Sequence, residues 1–199
     1  MKKYVIFLVV LLIIIFPVKT LTSKDNEINI IYPSTEYTVV NKKINNYIKK
    51  QIKEFDTTKT YLSSASYYLY GKYNETSYKN ITSYIIFTEM YLGGAHPTHN
   101  LWTISNIKNK IITIDTLIKY NPNILNILSK ETYQILSNNK LFKEDTILEM
   151  LKEGTKPTKN NFKNFMFSKE GLIVYFERYQ IAPYYYGDYH VIIPYDKLK

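Results

Sequence analysis

Residues 84–102 read YIIFTEMYLGGAHPTHNLW. An apolar strand runs into Gly93-Gly94-Ala95-His96-Pro97 and re-emerges toward Trp102. Glycine reaches positive φ without a Cβ clash, so a glycine pair permits a tight turn or a close backbone approach. Pro97 fixes its own φ and holds His96 extended. The expectation is a stiff corner between two strands, with two ring nitrogens on His96 available to pin it.

Composition makes this corner stand out. The chain has 199 residues, including 21 Tyr but only 6 Gly, 7 Pro and 3 His. Every basic residue is Lys except Arg178, and alanine occurs only at Ala65, Ala95 and Ala182. Abundant Lys, Asn, Ile and Tyr are what an AT-rich coding sequence produces, so their number alone does not mark a binding surface. Against that drift the scarce residue types gather at 93–97, and again at Ile181-Ala182-Pro183-Tyr184-Tyr185-Tyr186-Gly187. The ligand-binding expectation therefore falls on Gly93, Gly94, Ala95, His96, Pro97, Pro183, Tyr184 and Tyr185. Tyrosine suits contact surfaces because it buries a large area at low entropy cost. The competing reading packs one or two of these tyrosines inward.

A chain of 199 residues and 23.6 kDa buries one substantial core, so a single domain is expected. Hydrophobic residues at 45% and charged residues at 22% fit a globular domain, not a disordered one. The formal net charge is +9, of which Lys2, Lys3 and Lys19 belong to an N-terminal export segment. The remaining lysines are scattered apart from Lys42-Lys43 and Lys49-Lys50. No basic face with interleaved aromatics is visible, so no nucleic-acid partner is expected. Net charge of this sign favours non-specific attraction to anionic wall or membrane surfaces. The absence of cysteine removes disulfides, thiolate chemistry, cysteine metal sites and a lipobox.

Residues 1–22 read as a signal peptide or an N-terminal membrane anchor. Lys2 and Lys3 precede an unbroken apolar run from Tyr4 to Phe16, short for a full membrane span and stopped by Pro17. Residues 23–199 form the expected domain. Glu27 to Pro33 is a strand. Asn41 is placed as the N-cap of an amphipathic helix carrying Ile44, Tyr47, Ile48, Ile52 and Phe55 at helical spacing. Thr60–Tyr73 and Tyr78–Leu92 are expected to pair as a hairpin through a turn at Asn74-Glu75. Beyond the glycine corner, Asn100–Asn106 is a strand, and residues 111–114 return after a turn at 108–110. Asp115 is placed as the cap of a short helical turn. Two helices follow, the second stopped by Gly154. Phe162–Phe167 and Leu172–Glu177 make another hairpin, and Tyr189–Pro194 is the last strand. The class is α+β: an antiparallel sheet of hairpins with amphipathic helices packed on it.

Several motifs in order carry a resemblance. They are Tyr91-x-Gly93-Gly94-Ala95-His96-Pro97, Ile111-x-x-Ile114-Asp115-x-Leu117, Asn161-Phe162, Gly171-Leu172-x-x-x-Phe176, Tyr179-x-Ile181-Ala182-Pro183-Tyr184 and Gly187-x-x-x-Val191-x-Ile193-Pro194. Residues 27–199 resemble a bacterial extracytoplasmic domain-of-unknown-function family. That family includes the outer domain of the anti-sigma factor and lysozyme receptor RsiV and the N-terminal region of the peptidoglycan deacetylase PdaC. The resemblance implies an exported, non-catalytic binding or sensing domain at the cell envelope, whether secreted, periplasmic or anchored facing outward. Its implied ligand is a lysozyme-like protein or peptidoglycan. With Met1-Lys2-Lys3 at one end and Lys199 at the other, a free-standing domain without either effector is expected.

The residues also admit catalytic alternatives. His96-x-x-His99, with Asp188 and His190, supplies metal-ligand types, and a small envelope hydrolase with such a site is the alternative function. The pair flanks Pro97 in a corner rather than sharing a helix face, so neither a metal nor another cofactor is expected. No G-x-S-x-G elbow occurs, and Glu89, Asp115, Glu177 and Asp188 show no spacing diagnostic of paired-carboxylate chemistry. No catalytic residue is assigned. Membrane contact is expected only through the N-terminal segment, if it is retained.

Overall fold

The chain is described by a computed structural model covering residues 18–22, 27–59 and 66–199. The expected export run Tyr4–Phe16, and the start of the strand expected from Thr60, lie outside the described residues. Among the described residues nine strands and four α-helices form four layers. Strands β1 (Val18–Thr22), β2 (Ile28–Pro33), β3 (Tyr68–Tyr78), β4 (Ile81–Tyr91), β5 (Thr98–Ile107) and β6 (Lys110–Ile112) make a six-stranded sheet in sequence order. Strands β7 (Phe165–Phe167), β8 (Leu172–Phe176) and β9 (Tyr189–Ile193) make a three-stranded antiparallel sheet. Helix α1 (Thr38–Lys59) covers one face of the large sheet. Helices α2 (Ile114–Tyr120), α3 (Ile124–Ser137) and α4 (Asp145–Gly154) cover the small one.

The expected α+β class stands, with one departure in sheet direction. β2 and β3 run parallel, because α1 carries the chain back across the sheet between them. β1, from the segment grouped with the export signal, pairs antiparallel with β2.

Side-chain alternation explains the layers. Along β4, Tyr84, Ile86 and Met90 face α1, where they meet Val40, Ile44, Ile48 and Phe55. Those four helix residues are at most 2% exposed, and burying each contributes roughly 1.5–3 kcal/mol. On the opposite face Ile85 and Leu101 pack against Met166 and Ile173 of the small sheet. The other face of the small sheet, through Val174, Phe176, Val191 and Ile193, closes on Leu128, Ile147 and Leu151 of the helices. Polar groups stitch the two sheets. Phe165 and Phe167 donate backbone N–H bonds to Thr103 Oγ1 at 2.9 Å and Ser83 Oγ at 3.1 Å, and Ser83 also bonds Ser105 Oγ at 2.8 Å.

Among the boundaries that differ from expectation, β7 begins at Phe165 and not Phe162, and three turns and caps are reassigned. The β3–β4 turn lies at Lys79-Asn80, with Lys79 at φ 54°, while Asn74 and Glu75 remain paired in the strand opposite Ile85 and Tyr84. Tyrosines on both faces of the hairpin hid the period there. Asn41 is inside α1, where its carboxamide accepts from Thr35 N–H and donates to Thr35 O, so it caps the preceding turn instead. α2 is capped by Thr113 in a capping box with Thr116, and Asp115 instead pairs with Lys159 at 2.6 Å.

Candidate functional site

The small sheet covers only part of the large one. Toward the Tyr91/Thr98 end of the β4–β5 hairpin the face opposite α1 is left open, forming a groove of about 770 Å³. Its floor contains one continuous row across five strands. Thr22, Asn29, Tyr70, Glu89 and His99 are register partners in β1, β2, β3, β4 and β5, and all line the groove. Lys72 and Asn74 extend the floor, with Phe87 as an apolar patch. Arg178 and Asp188 rise from the loops flanking β8 and β9 as its wall.

The row is tied laterally. His99 Nε2 lies 3.4 Å from Glu89 Oε2, and Tyr68 O–H donates to Glu89 Oε1 at 2.6 Å. The bond to Glu89 holds the Tyr68 phenol in its neutral form and pushes its pKa up to about 12. Tyr68 also stacks on Tyr70 and Tyr91, giving an aromatic flank. His99 has its pKa lowered, first by loss of water and then by the Arg178 guanidinium; Glu89 and Asp188 partly oppose this.

The two scarce-residue corners meet beside this groove. Tyr184 stands in a 3-10 turn, Tyr184–Tyr186, ended by Gly187 at φ 81°. Its hydroxyl donates to Pro97 O at 2.9 Å, and its ring stacks on His96 with centroids 3.9 Å apart. The Arg178 guanidinium carbon sits 4.4 Å from the same ring centre, an attraction of cation for aromatic quadrupole. Arg178 Nε is 3.5 Å from Asp188 Oδ1; it is buried and makes no hydrogen bond. The ring thus fixes the only guanidinium of the chain while leaving its bonding capacity incompletely used.

Of the residues singled out in the sequence, Gly93, Gly94, Ala95 and His96 are exposed in the loop between β4 and β5, and Pro97 is half-buried. Gly93 takes φ 80°, which explains the need for glycine. His96 Nδ1 lies 3.2 Å from Pro97 O. Pro183 and Tyr184 are half-buried, and Tyr185 projects at 76% exposure. These residues form the rim, and none of them lines the floor. Sequence reading missed the floor residues Asn29, Tyr70 and Lys72, and Arg178 in the wall. Two signals pointed to them. Arg178 is the lone arginine, and Glu89 is the one charged residue of β4.

The four metal-ligand candidates do not converge. His96 turns onto Tyr184, His99 onto Glu89, Asp188 onto Arg178, and His190 of β9 toward Tyr175 of β8. Among the described residues no group of three or more His, Asp or Glu is arranged to hold a metal. What the groove offers is a dense set of donors and acceptors beside aromatic surface, suited to a polar ligand with some apolar faces.

Residues 109–196 match the model of a family described as "Protein of unknown function (DUF3298)". The chain is 34% identical over 130 residues to the peptidoglycan-N-acetylmuramic acid deacetylase PdaC of Bacillus subtilis (strain 168), which covers 64% of this chain and 27% of that protein. The chain therefore spans about a quarter of the length of that relative. A DUF3298 family protein from Pseudomonas aeruginosa PAO1 has the same fold, with TM-score 0.67 and 13% identity over 92% of each chain. A DUF3298 member from Bacteroides fragilis NCTC 9343 superposes with TM-score 0.54 and 21% identity over 92% of this chain and 89% of its own. The resemblance drawn from the ordered motifs is borne out in sequence and fold. Among the described residues no helix is long and apolar enough to cross a membrane.

Proposed function

We propose that this chain is a non-catalytic binding domain of the bacterial cell envelope, acting outside the cytoplasm, and that its ligand is the glycan of peptidoglycan. The observation that carries the reading is the preformed groove. One row of polar side chains crosses five strands, and the two scarce-residue corners are bonded to one another at its edge. Sugars present hydroxyls and amides to such a row and apolar C–H faces to Tyr70 and Phe87. The relative whose name includes peptidoglycan supports the choice of ligand.

The test is co-sedimentation with purified peptidoglycan sacculi, run beside a lysozyme affinity column. Retention on sacculi, weakened by Tyr70→Ala and Lys72→Ala, is expected. Both positions are exposed, so folding is preserved. Retention on lysozyme and not on sacculi would assign the groove to a protein ligand instead. Retention on neither would remove the binding reading for both.

A further inference from the structure

A second groove, of about 580 Å³, lies at the β5 edge of the large sheet, between α1 and the residues Lys163, Asn164 and Glu177 that flank the small sheet. Its floor holds Trp102, the only tryptophan of the chain, stacked on Tyr47 of α1 with ring centroids 4.8 Å apart and planes 11° from parallel. Lys43 and Lys50, one α-helical heptad apart on α1, stand on one side, and Lys163 stands across from them. The groove opens at the sheet edge. At Trp102 β5 pairs with β4 through Ile86, and β6 pairs with β5 only at Ser105–Ile107, so among the described residues no strand lies beside Trp102 on the side away from β4.

The charges here are unequal. The one carboxylate lining the groove, Glu177, is already engaged by Lys163 at 3.0 Å and by Asn164 Nδ2 at 3.1 Å. Lys43 and Lys50 are exposed and have no ion-pair partner among the described residues. Gln51 is 4% exposed and accepts from Thr88 Oγ1 and Asn100 Nδ2, which stiffens the inner end. A rigid aromatic pair under unpaired ammonium groups matches a ring with an apolar face and an attached anion.

We infer that this groove is a second binding site, for a carboxylate-bearing saccharide, with the sugar ring over the Tyr47–Trp102 pair and its carboxylate between Lys43 and Lys50. The inference deepens the peptidoglycan reading by naming the charged sugar, a muramic acid whose carboxyl is free and not amide-linked to a stem peptide, and it uses residues distinct from those of the first groove's floor row.

Trp102 supplies the test, since the protein's tryptophan fluorescence comes from this groove alone. The full chain is titrated with the disaccharide of N-acetylglucosamine and N-acetylmuramic acid, and separately with uncharged diacetylchitobiose. A saturable fluorescence change is expected with the first and not the second. Lys43→Gln/Lys50→Gln should weaken it roughly tenfold, and Tyr70→Ala should leave it in place. An equal response to diacetylchitobiose, or an unchanged affinity in the double variant, would overturn the site. Sacculi retained while Trp102 stays silent would overturn the second site and leave the first reading standing. Neither sacculi nor disaccharide bound would overturn both.

Discussion

Tyr184 lies on His96, their planes 23° from parallel, and so joins two corners that are far apart in the chain. The Tyr184 hydroxyl reinforces the junction through Pro97 O at 2.9 Å. Tyr184→Phe removes that bond and keeps the stack, at a cost of about 1 kcal/mol. Tyr184→Ala removes both. Hydrogen exchange at residues 93–96 should accelerate strongly in the alanine variant and little in the phenylalanine variant, with the β7–β8 pairing unchanged.

The paired glycines separate shape from contact. Gly93 at φ 80° needs glycine, so Gly93→Ala should cost about 1 kcal/mol in chemical denaturation. A Cβ on Gly94 meets nothing nearer than His96 O at 4.0 Å. Gly94→Ala should therefore leave stability unchanged, and any loss of sacculus retention in that variant reads ligand contact directly.

His99 gives the fold a pH dependence of known sign. Its pKa is lowered from 6.5 by desolvation and by Arg178, against the pull of Glu89 and Asp188. The folded state then binds fewer protons than the unfolded chain as pH falls through the ordinary histidine range. Stability contributed by neutral His99 is complete above that range. It declines as pH drops below about 6.5 and stops declining below the folded value. Denaturation of wild type and His99→Asn across this window should show a difference that shrinks toward acid.

Gly154, at the end of α4, is held against the second corner. A Cβ there would strike Gln180 O and lie 2.7 Å from Ile181 Cγ2. Gln180 in turn donates to Gly154 O and to Asn161 O. Gly154→Ala should destabilise by about 1–3 kcal/mol through overpacking, measured as a lower melting temperature, while a substitution at exposed Tyr185 should not.

Much of this architecture was legible because periodicity and punctuation agreed. The spacing of Ile44, Ile48 and Phe55 located α1, and the corner at 93–97 located the β4–β5 hairpin. The β3–β4 turn was misplaced because tyrosine occupies both faces, so alternation gave no phase, and a lysine in the left-handed region carries no sequence signal. The parallel β2–β3 pair was not legible, since direction depends on where α1 returns the chain. The rim of the groove was visible as scarce residues. Its floor was not, because Asn29, Tyr70, Glu89 and His99 share a row only after the strand registers are set.

The most direct test is a map of backbone amide chemical shifts on addition of soluble peptidoglycan fragments. The account predicts concentrated shifts at Asn29, Tyr70, Lys72, Glu89, His99 and Arg178, with the 93–97 loop moving with them. Shifts confined to the outer faces of α3 and α4, with the row across β1–β5 unmoved, would contradict it.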